Sequence, residues 1–198
     1  KYQPGQGLAL AAGERCLGHP WWGVWASFGL MCAAAAWAFL GWLPFRWAVF
    51  ATALFLMRFL PPHYWLNSYW GGALPALGGL LCLWALPRVR RSPRLRYGLV
   101  SGAGAGILVL TRPYEGFAFL LGLSAAGVLH LRGFVGWRAT WLRAVVPGLL
   151  VVLASAAFLG VYNRAVTGSL LRMPYDVHER TYMRAPYFIW QPLREVAP

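Results

Sequence analysis

The sequence has little charge and very few acids. Only 12% of its 198 residues are charged and 59% are hydrophobic, whereas roughly 25% of a soluble domain is charged. Five Asp and Glu stand against 18 Lys and Arg, which gives a net charge of +13. This balance excludes an ordinary soluble domain, and so much apolar surface also excludes a disordered chain. The composition therefore predicts a polytopic membrane protein.

Cysteine is also scarce, and its spacing excludes two further classes of protein. Cys16, Cys32 and Cys82 form no CxxC pair, and two of the three lie within apolar runs. The sequence therefore predicts no disulfide framework and no structural zinc site. Small apolar filling is the interpretation that fits these thiols.

Long apolar runs take the place of charge. Six segments, at about 21–43, 47–60, 72–87, 98–111, 117–131 and 144–162, predict an all-α transmembrane bundle followed by an outer tail at 163–198. Several runs are shorter than the ~20 residues that a straight helix needs to cross the hydrocarbon, although flanking Arg and Trp can snorkel. Residues 98–131 are compatible with two short spans or with one long helix broken at Pro113.

The basic residues predict an orientation. Two connections are rich in Arg, the first with Arg88, Arg90, Arg91, Arg94 and Arg96 and the second with Arg132, Arg138 and Arg143. The positive-inside rule places both in the cytoplasm, which favours a hairpin whose outer tip is 112–116. Residues 1–20, 58–71 and 163–198 then also lie outside as polar connections, and the first seven residues are polar and predict a turn. All the acids fall on that side: Glu14, Glu115, Asp176, Glu179 and Glu195.

The positive charge points to membrane lipids as partners. On a soluble protein this excess would suggest nucleic acid. Beside apolar runs, basic loops are expected to meet anionic lipid or phosphate groups, so no nucleic-acid partner is predicted. Gly98, Gly102 and Gly106 recur every four residues and predict close helix packing. They do not predict a phosphate loop, because no Gly-Lys-Ser/Thr follows.

Residues 61–72 mix aromatic rings with polar side chains. Tyr69 and Trp70 fit an aromatic belt at the membrane interface, but a belt does not account for His63 and Asn67. The alternative is a sugar or lipid site, in which rings contact the apolar face of a sugar and amides bind its hydroxyls.

Arg112 and Glu115 bracket Pro-Tyr at the end of an apolar run. Ionisable residues there mark function by default, although an ion pair that only stabilises the tip is the simpler alternative. In the functional interpretation Arg112 binds a phosphate, while Glu115 orients Arg112 or a sugar hydroxyl beside Tyr114.

The tail offers Tyr175, Asp176 and His178 as further candidates for sugar or acceptor binding. Asp176, His178 and Glu179 are also the residue types that bind Mn or Zn. Their spacing matches no metal motif, so a solvated turn is favoured and no metal or cofactor is predicted.

Several of these segments resemble bacterial integral-membrane glycosyltransferases of the GT-C class, in particular the protein mannosyltransferase-like group that includes aminoarabinose and lipopolysaccharide-core sugar transferases. The matching segments are Tyr2-Gln3-Pro4-Gly5-Gln6-Gly7, Gly18-His19-Pro20-Trp21, Asn67-Ser68-Tyr69-Trp70-Gly71-Gly72-Ala73, Arg112-Pro113-Tyr114-Glu115-Gly116 and Tyr162-Asn163 with Val166-Thr167-Gly168. The resemblance covers most of the chain and specifies a membrane subgroup better than a substrate.

The resemblance implies transfer of a sugar from a polyprenyl-phosphate donor to a lipid, glycan or protein acceptor, at the periplasmic face of the bacterial inner membrane. It implies that Lys1 and Tyr2 lie near the donor phosphate. It also implies a catalytic carboxylate in an outer loop that would precede Lys1. Because the sequence starts without Met and without a leader, we expect it to be a piece of a longer chain.

Two other functions share part of this pattern. A flippase or transporter for a lipid-linked sugar would use the same phosphate-binding Arg, but would more often show two related halves. An accessory membrane subunit would have no site of its own, and would not be expected to cluster Arg, Asn, Glu and His on one face.

Overall fold

The computed structural model describes residues 3–59, 63–131 and 136–182, and these ranges contain helices and no strand. The helices are α1 (Pro4–Leu17), α2 (Trp21–Trp42), α3 (Phe45–Arg58), α4 (Ala73–Arg91), α5 (Leu95–Thr111), α6 (Pro113–Leu131), α7 (Trp137–Thr140), α8 (Val146–Thr167) and α9 (Pro174–Tyr182). A π-helical turn, Trp141–Val145, joins α7 to α8 without a break. It lies just before Pro147, which has no N–H to donate to the preceding turn.

The centre of the bundle is formed by α2, α4, α5 and α8. α2 and α4 run in the same direction. Met31 of α2 clusters with Leu77 of α4, and seven residues further along both helices Ala38 clusters with Trp84. α5 runs back along α4, where the Cys82 Sγ donates to the Ser101 carbonyl at 3.4 Å. α8 follows the direction of α5.

α5 and α6 form a hairpin that turns at Arg112. α6 lies beside α4, on which Gly79 faces the Phe119 ring and Leu86 contacts Gly127. Its direction is that of α4 and therefore opposite to that of α5. Of the two arrangements compatible with residues 98–131, the structure has the hairpin, because the backbone breaks between Thr111 and Pro113.

The glycine ridge of α5 packs against α8 and the turn before it. A Cβ on Gly98 would meet the backbone of Ala144, one on Gly102 would lie 2.6 Å from the carbonyl oxygen of Gly148, and one on Gly106 would meet Ser155. The prediction of close helix packing is therefore confirmed, because only residues without a Cβ allow this approach.

Small residues fill the core, and large apolar residues cover the surface. Ala34, Ala35 and Ala38 are at most 5% exposed. Much larger side chains lie on the surface of the bundle. Those that are more than half exposed include Phe45, Trp47, Phe50, Met57, Phe117, Leu121, Leu150 and Val161. α2 and the continuous helix Arg138–Thr167 are, by length and composition, able to cross a membrane. Exposed apolar area on this scale is typical of surfaces that bind a membrane or another protein.

Several sequence-based boundaries need correction. The segment 1–20, expected to be a polar connection, contains the 14-residue helix α1. The predicted runs at 47–60, 72–87, 98–111 and 117–131 correspond to α3, α4, α5 and α6, and the run at 144–162 is the middle of the helix 137–167. The start of the expected tail, 163–167, therefore belongs to α8, and α9 follows within it. Apolar runs underestimate these helices because their ends carry Arg, Trp and Tyr, which continue a helix into a polar layer.

α4 continues past Pro87, where the apolar run ends. Proline cannot donate to the carbonyl four residues earlier, so the Leu83 oxygen is left without its helical N–H. The indole Nε1 of Trp42 on α2 donates to that oxygen at 2.9 Å. At the next residue, the Arg88 guanidinium donates to the Trp84 carbonyl at 2.8 Å and stacks 4.5 Å from the Trp84 ring.

Candidate functional site

A cavity of about 1130 Å³ opens at the end of the bundle where α5 ends and α6 begins. Parts of the chain that are distant in sequence form its wall: α1, the loop before α4, the α5–α6 tip, α8 and the start of α9. The lining residues are Gln3, Pro4, Gln6, Gly7, Leu8, Leu10, Tyr69, Trp70, Gly71, Thr111, Arg112, Pro113, Tyr114, Glu115, Phe158, Tyr162 and Tyr175. We call this end of the bundle the cavity end.

The α5–α6 tip supplies the charged part of the wall. Arg112 Nη1 donates to Glu115 Oε1 at 2.9 Å, and both side chains are more than half exposed, at 53% and 64%. Pro113 occupies the first position of α6, where a missing N–H costs nothing. The carbonyl end of α5 and the N–H end of α6 therefore meet at Arg112, and the second of these favours an anion nearby.

Aromatic rings from three elements line the same cavity as this pair. The Tyr114 and Tyr175 rings meet edge to face with centroids 5.6 Å apart, which joins the α5–α6 tip to the start of α9. Tyr69 meets Trp21 of α2 in the same way at 5.2 Å. Trp70 lines the cavity and is 62% exposed. Such rings offer flat apolar faces with polar edges.

α1 closes the cavity from another side and packs unusually tightly. A Cβ on Gly5 would lie 2.8 Å from the Leu110 carbonyl oxygen, and one on Gly71 would overlap the Gln6 side chain. Gln3 is only 7% exposed, and its Nε2 donates to Met173 Sδ at 3.2 Å. α1 is therefore held against the end of α5, against the loop before α4, and against the segment that leads into α9.

The structure brings six of the sequence-predicted site residues into one cavity wall. They are Tyr69, Trp70, Arg112, Tyr114, Glu115 and Tyr175. These residues lie on separate connections that the positive-inside rule had placed on one side. Lys1 and Tyr2 lie outside the described residues.

His63 and Asn67 are occupied in shaping their own loop. The His63 ring packs on Phe59 with centroids 4.8 Å apart, and its Nδ1 accepts from the Trp65 N–H at 3.2 Å. Asn67 Nδ2 donates to the His63 carbonyl at 3.3 Å. Within this loop it is Tyr69, Trp70 and Gly71 that reach the cavity.

The side chains of Asp176 and His178 do not face a common binding site. Two residues apart on α9, they lie on different faces of the helix. His178 packs on Tyr182 with ring centroids 4.9 Å apart and lines a separate hollow of about 320 Å³ with Val166 and Thr167. Across the described side chains, which do not include that of Glu179, no group of three His, Cys, Asp or Glu could hold a metal ion.

The wall contains further side chains that sequence reasoning did not single out, among them Gln3, Gln6, Leu8, Leu10, Thr111, Phe158 and Tyr162. Helical spacing was the available signal. Gln3, Gln6, Gly7 and Leu10 recur at offsets of three, four and seven, and Phe158 and Tyr162 are four apart. Both patterns place the residues on one helix face.

No known protein family, curated protein or solved structure matched the chain.

Proposed function

We propose that this chain is part of a bacterial inner-membrane glycosyltransferase of about six spans, which transfers a sugar from a polyprenyl-phosphate donor to a lipid, glycan or protein acceptor at the periplasmic face. The observation that carries the proposal is the cavity in which the guanidinium of Arg112 lies among aromatic rings at the end of an apolar bundle. The resemblance of Arg112-Pro113-Tyr114-Glu115-Gly116 to GT-C enzymes supports the same assignment.

Arg112 is suited to the donor phosphate. Its pair with Glu115 is solvent-exposed and weak, so it leaves the guanidinium available to a phosphate. Only Nη1 is engaged with Glu115, and the planar fork has further N–H donors for bidentate contact with phosphate oxygens. Glu115 then keeps the guanidinium in place from the other side.

The remaining wall suits a sugar and a lipid. Tyr69, Trp70 and Tyr114 present ring faces for a pyranose or furanose. Leu8 and Phe158 make the wall apolar on one side, and both are about half exposed, at 50% and 46%. An isoprenoid chain can leave the cavity along that side and enter the bilayer without crossing a polar layer.

The reaction follows from where charge develops. The oxygen of the acceptor attacks the anomeric carbon, the bond from that carbon to the phosphate oxygen breaks, and the electron pair leaves with the phosphate. Arg112 stabilises that growing negative charge. The acceptor proton goes to a carboxylate base, as the resemblance to GT-C enzymes implies. A single displacement of this kind inverts the anomeric configuration.

The test uses the complete protein in detergent, with undecaprenyl phosphate as the probe because it is a polyprenyl phosphate, the group that the proposed donor carries. Quenching of Trp fluorescence reports binding. Arg112→Ala should weaken binding by at least about tenfold, the usual scale for a charge-assisted contact. Arg164→Ala is the matched control, since Arg164 is exposed on α8 outside the cavity wall. Equal affinity in the Arg112 and Arg164 variants would contradict the assignment.

Turnover separates the enzyme from its rivals. Vesicles that contain the protein are given radiolabelled polyprenyl-phosphate hexose or aminopentose together with cell-envelope lipid as acceptor. A glycosyltransferase moves the label to the acceptor. A flippase moves intact labelled donor across the bilayer, and an accessory subunit does neither.

A further inference from the structure

The end of the bundle opposite the cavity carries a dense group of arginines. We define the basic turn as residues 88–96, which close α4 and open α5 and include Arg88, Arg90, Arg91, Arg94 and Arg96. α5 has 17 residues, so at ~1.5 Å per residue this turn lies about 25 Å from Arg112. Arg90, Arg91, Arg94 and Arg96 are exposed.

Among the described side chains, the one ion pair joins Arg112 to Glu115, so no described carboxylate pairs with the basic turn. No Asp or Glu occurs between Glu14 and Glu115, and Glu14 lies in α1 while Glu115 lies at the cavity end. The first turn of α5 contains no acid, and Arg94 at its N-cap makes no capping contact. The positive charge of the arginines therefore adds to that of the helix N-terminus.

Two of the five guanidinium groups are bound within the protein, but only to neutral groups. Arg88 donates to the carbonyls of Trp84 and Trp37, at 2.8 and 3.2 Å. Arg96 donates to the Tyr97 hydroxyl at 3.0 Å. These contacts order the turn and leave its charge unbalanced among the described residues, which favours binding of an anion from outside the chain.

We propose that the basic turn binds the phosphate groups of anionic phospholipids. A soluble anion would need only the arginines. Here the arginines adjoin large apolar side chains that are also exposed, namely Trp37 at 54%, Trp42 at 45% and Leu95 at 57%. The Trp37 and Trp84 rings are 4.9 Å apart, which ties this apolar surface to Arg88. Headgroups can therefore meet the guanidinium groups while acyl chains cover the aromatic surface. This binding is independent of the proposed sugar transfer.

The experiment compares lipid retention by matched variants of the complete protein. Protein is extracted from nanodiscs of equal phosphatidylglycerol and phosphatidylcholine, and native mass spectrometry counts the lipids of each class that stay bound. The test variant is Arg90→Gln/Arg91→Gln/Arg94→Gln. The control, Arg15→Gln/Arg164→Gln/Arg172→Gln, removes the same charge from exposed positions towards the cavity end.

We expect wild type and control to retain phosphatidylglycerol preferentially. In the test variant that preference should fall at least about tenfold, since each Arg near an anionic headgroup adds to the attraction. A corresponding triple Arg→Lys variant should keep most of it, because the charge is preserved. If the Gln variant does not fold, the Lys variant and the loss of wild-type preference with rising salt supply the same test.

Three outcomes would overturn the proposal. Unchanged preference in the Gln variant would show that these arginines do not bind lipid. Equal loss in test and control variants would show a general effect of net charge. Displacement of phosphatidylglycerol by inorganic phosphate at a similar concentration would show that the turn binds a soluble anion instead.

Discussion

A single side chain supplies the hydrogen bond that α4 loses at its internal proline. Pro87 leaves the Leu83 carbonyl without its helical donor, and Trp42 of a different helix provides an N–H at 2.9 Å. The same contact fixes the position of α2 against α4. A carbonyl without a hydrogen-bond partner costs free energy in an apolar environment. The bond from Trp42 should therefore contribute to the stability of the folded protein.

Trp42→Phe should therefore lower the free energy of unfolding by about 1 kcal/mol or slightly more. In a Pro87→Ala background the same change should cost much less, because the backbone N–H of the substituted alanine can then donate to the Leu83 carbonyl along the helix. Thermal unfolding in detergent of wild type, the two single variants and the double variant measures the coupling between Trp42 and Pro87. Trp47→Phe is the control, since Trp47 is 63% exposed. Additive effects of the two substitutions would show that Pro87 and Trp42 are not linked.

At the scale of helices, glycine decides which pairs approach most closely. α5 has alternating contacts, with Gly102 and Gly106 toward α8 and Gly104 toward α4. Glycine on both faces allows α5 to lie between two neighbours at backbone contact. The cost is conformational entropy, since glycine is a poor helix former.

Gly102→Ala should destabilise the protein by about 1–3 kcal/mol, because its Cβ would lie 2.6 Å from the Gly148 oxygen and 2.9 Å from the Val151 Cβ. Gly122→Ala in α6 is the matched comparison, since no atom lies within 4 Å of that Cβ. That change should be neutral or stabilising by up to about 1 kcal/mol. The midpoints of thermal unfolding of the two variants and of wild type, measured in one detergent, test this difference. Equal destabilisation by both substitutions would show that close packing at Gly102 is not the cause.

At the scale of the whole molecule, charge is divided between two ends. The carboxylates of Glu115 and Asp176 lie at the cavity end, whereas every charged residue of the basic turn is an Arg. The contact between Tyr114 and Tyr175 places the α5–α6 tip and α9 on the same end. The membrane arrangement proposed above requires that these two segments face one compartment.

Glu115→Cys and Arg172→Cys should both react with a membrane-impermeant maleimide from the outside of intact cells, and Arg91→Cys should react only after the membrane is opened. The exposed Cys16 is first replaced by Ala. Labelling of positions 115 and 172 from opposite sides would contradict the arrangement, because their segments are joined by direct ring contact in the folded chain.

Much of the cavity wall could be predicted because its residues belong to connections of one class. Arg112, Glu115, Tyr69 and Tyr175 stand out as polar or aromatic residues beside apolar runs, and the alternation of spans brings such connections to one end. His63 resembled them in sequence. It nevertheless turns into its own loop, because Phe59 and Trp65 provide ring contacts that no spacing rule reveals.

α1 is where prediction from sequence was wrong. Pro4, Gly5 and Gly7 are typical of a turn, and the segment forms a 14-residue helix. Pro4 suits the first position of a helix, while Gly5 and Gly13 are needed for contact with α5 and α2. Glycines required by tertiary packing therefore had the same appearance as glycines required by a turn.

The sequence alone determined that this protein is helical and that its helices are apolar, because long runs of Ala, Leu, Val and aromatic residues satisfy backbone hydrogen bonds locally in a helix. Only the tertiary structure decided which polar residues share a wall. Gln3 and Tyr175 line one cavity although they stand at opposite ends of the described chain. Their proximity depends on close approaches such as Gly5 to Leu110 and Gly102 to Gly148, and these depend on shape complementarity between helices rather than on local pattern.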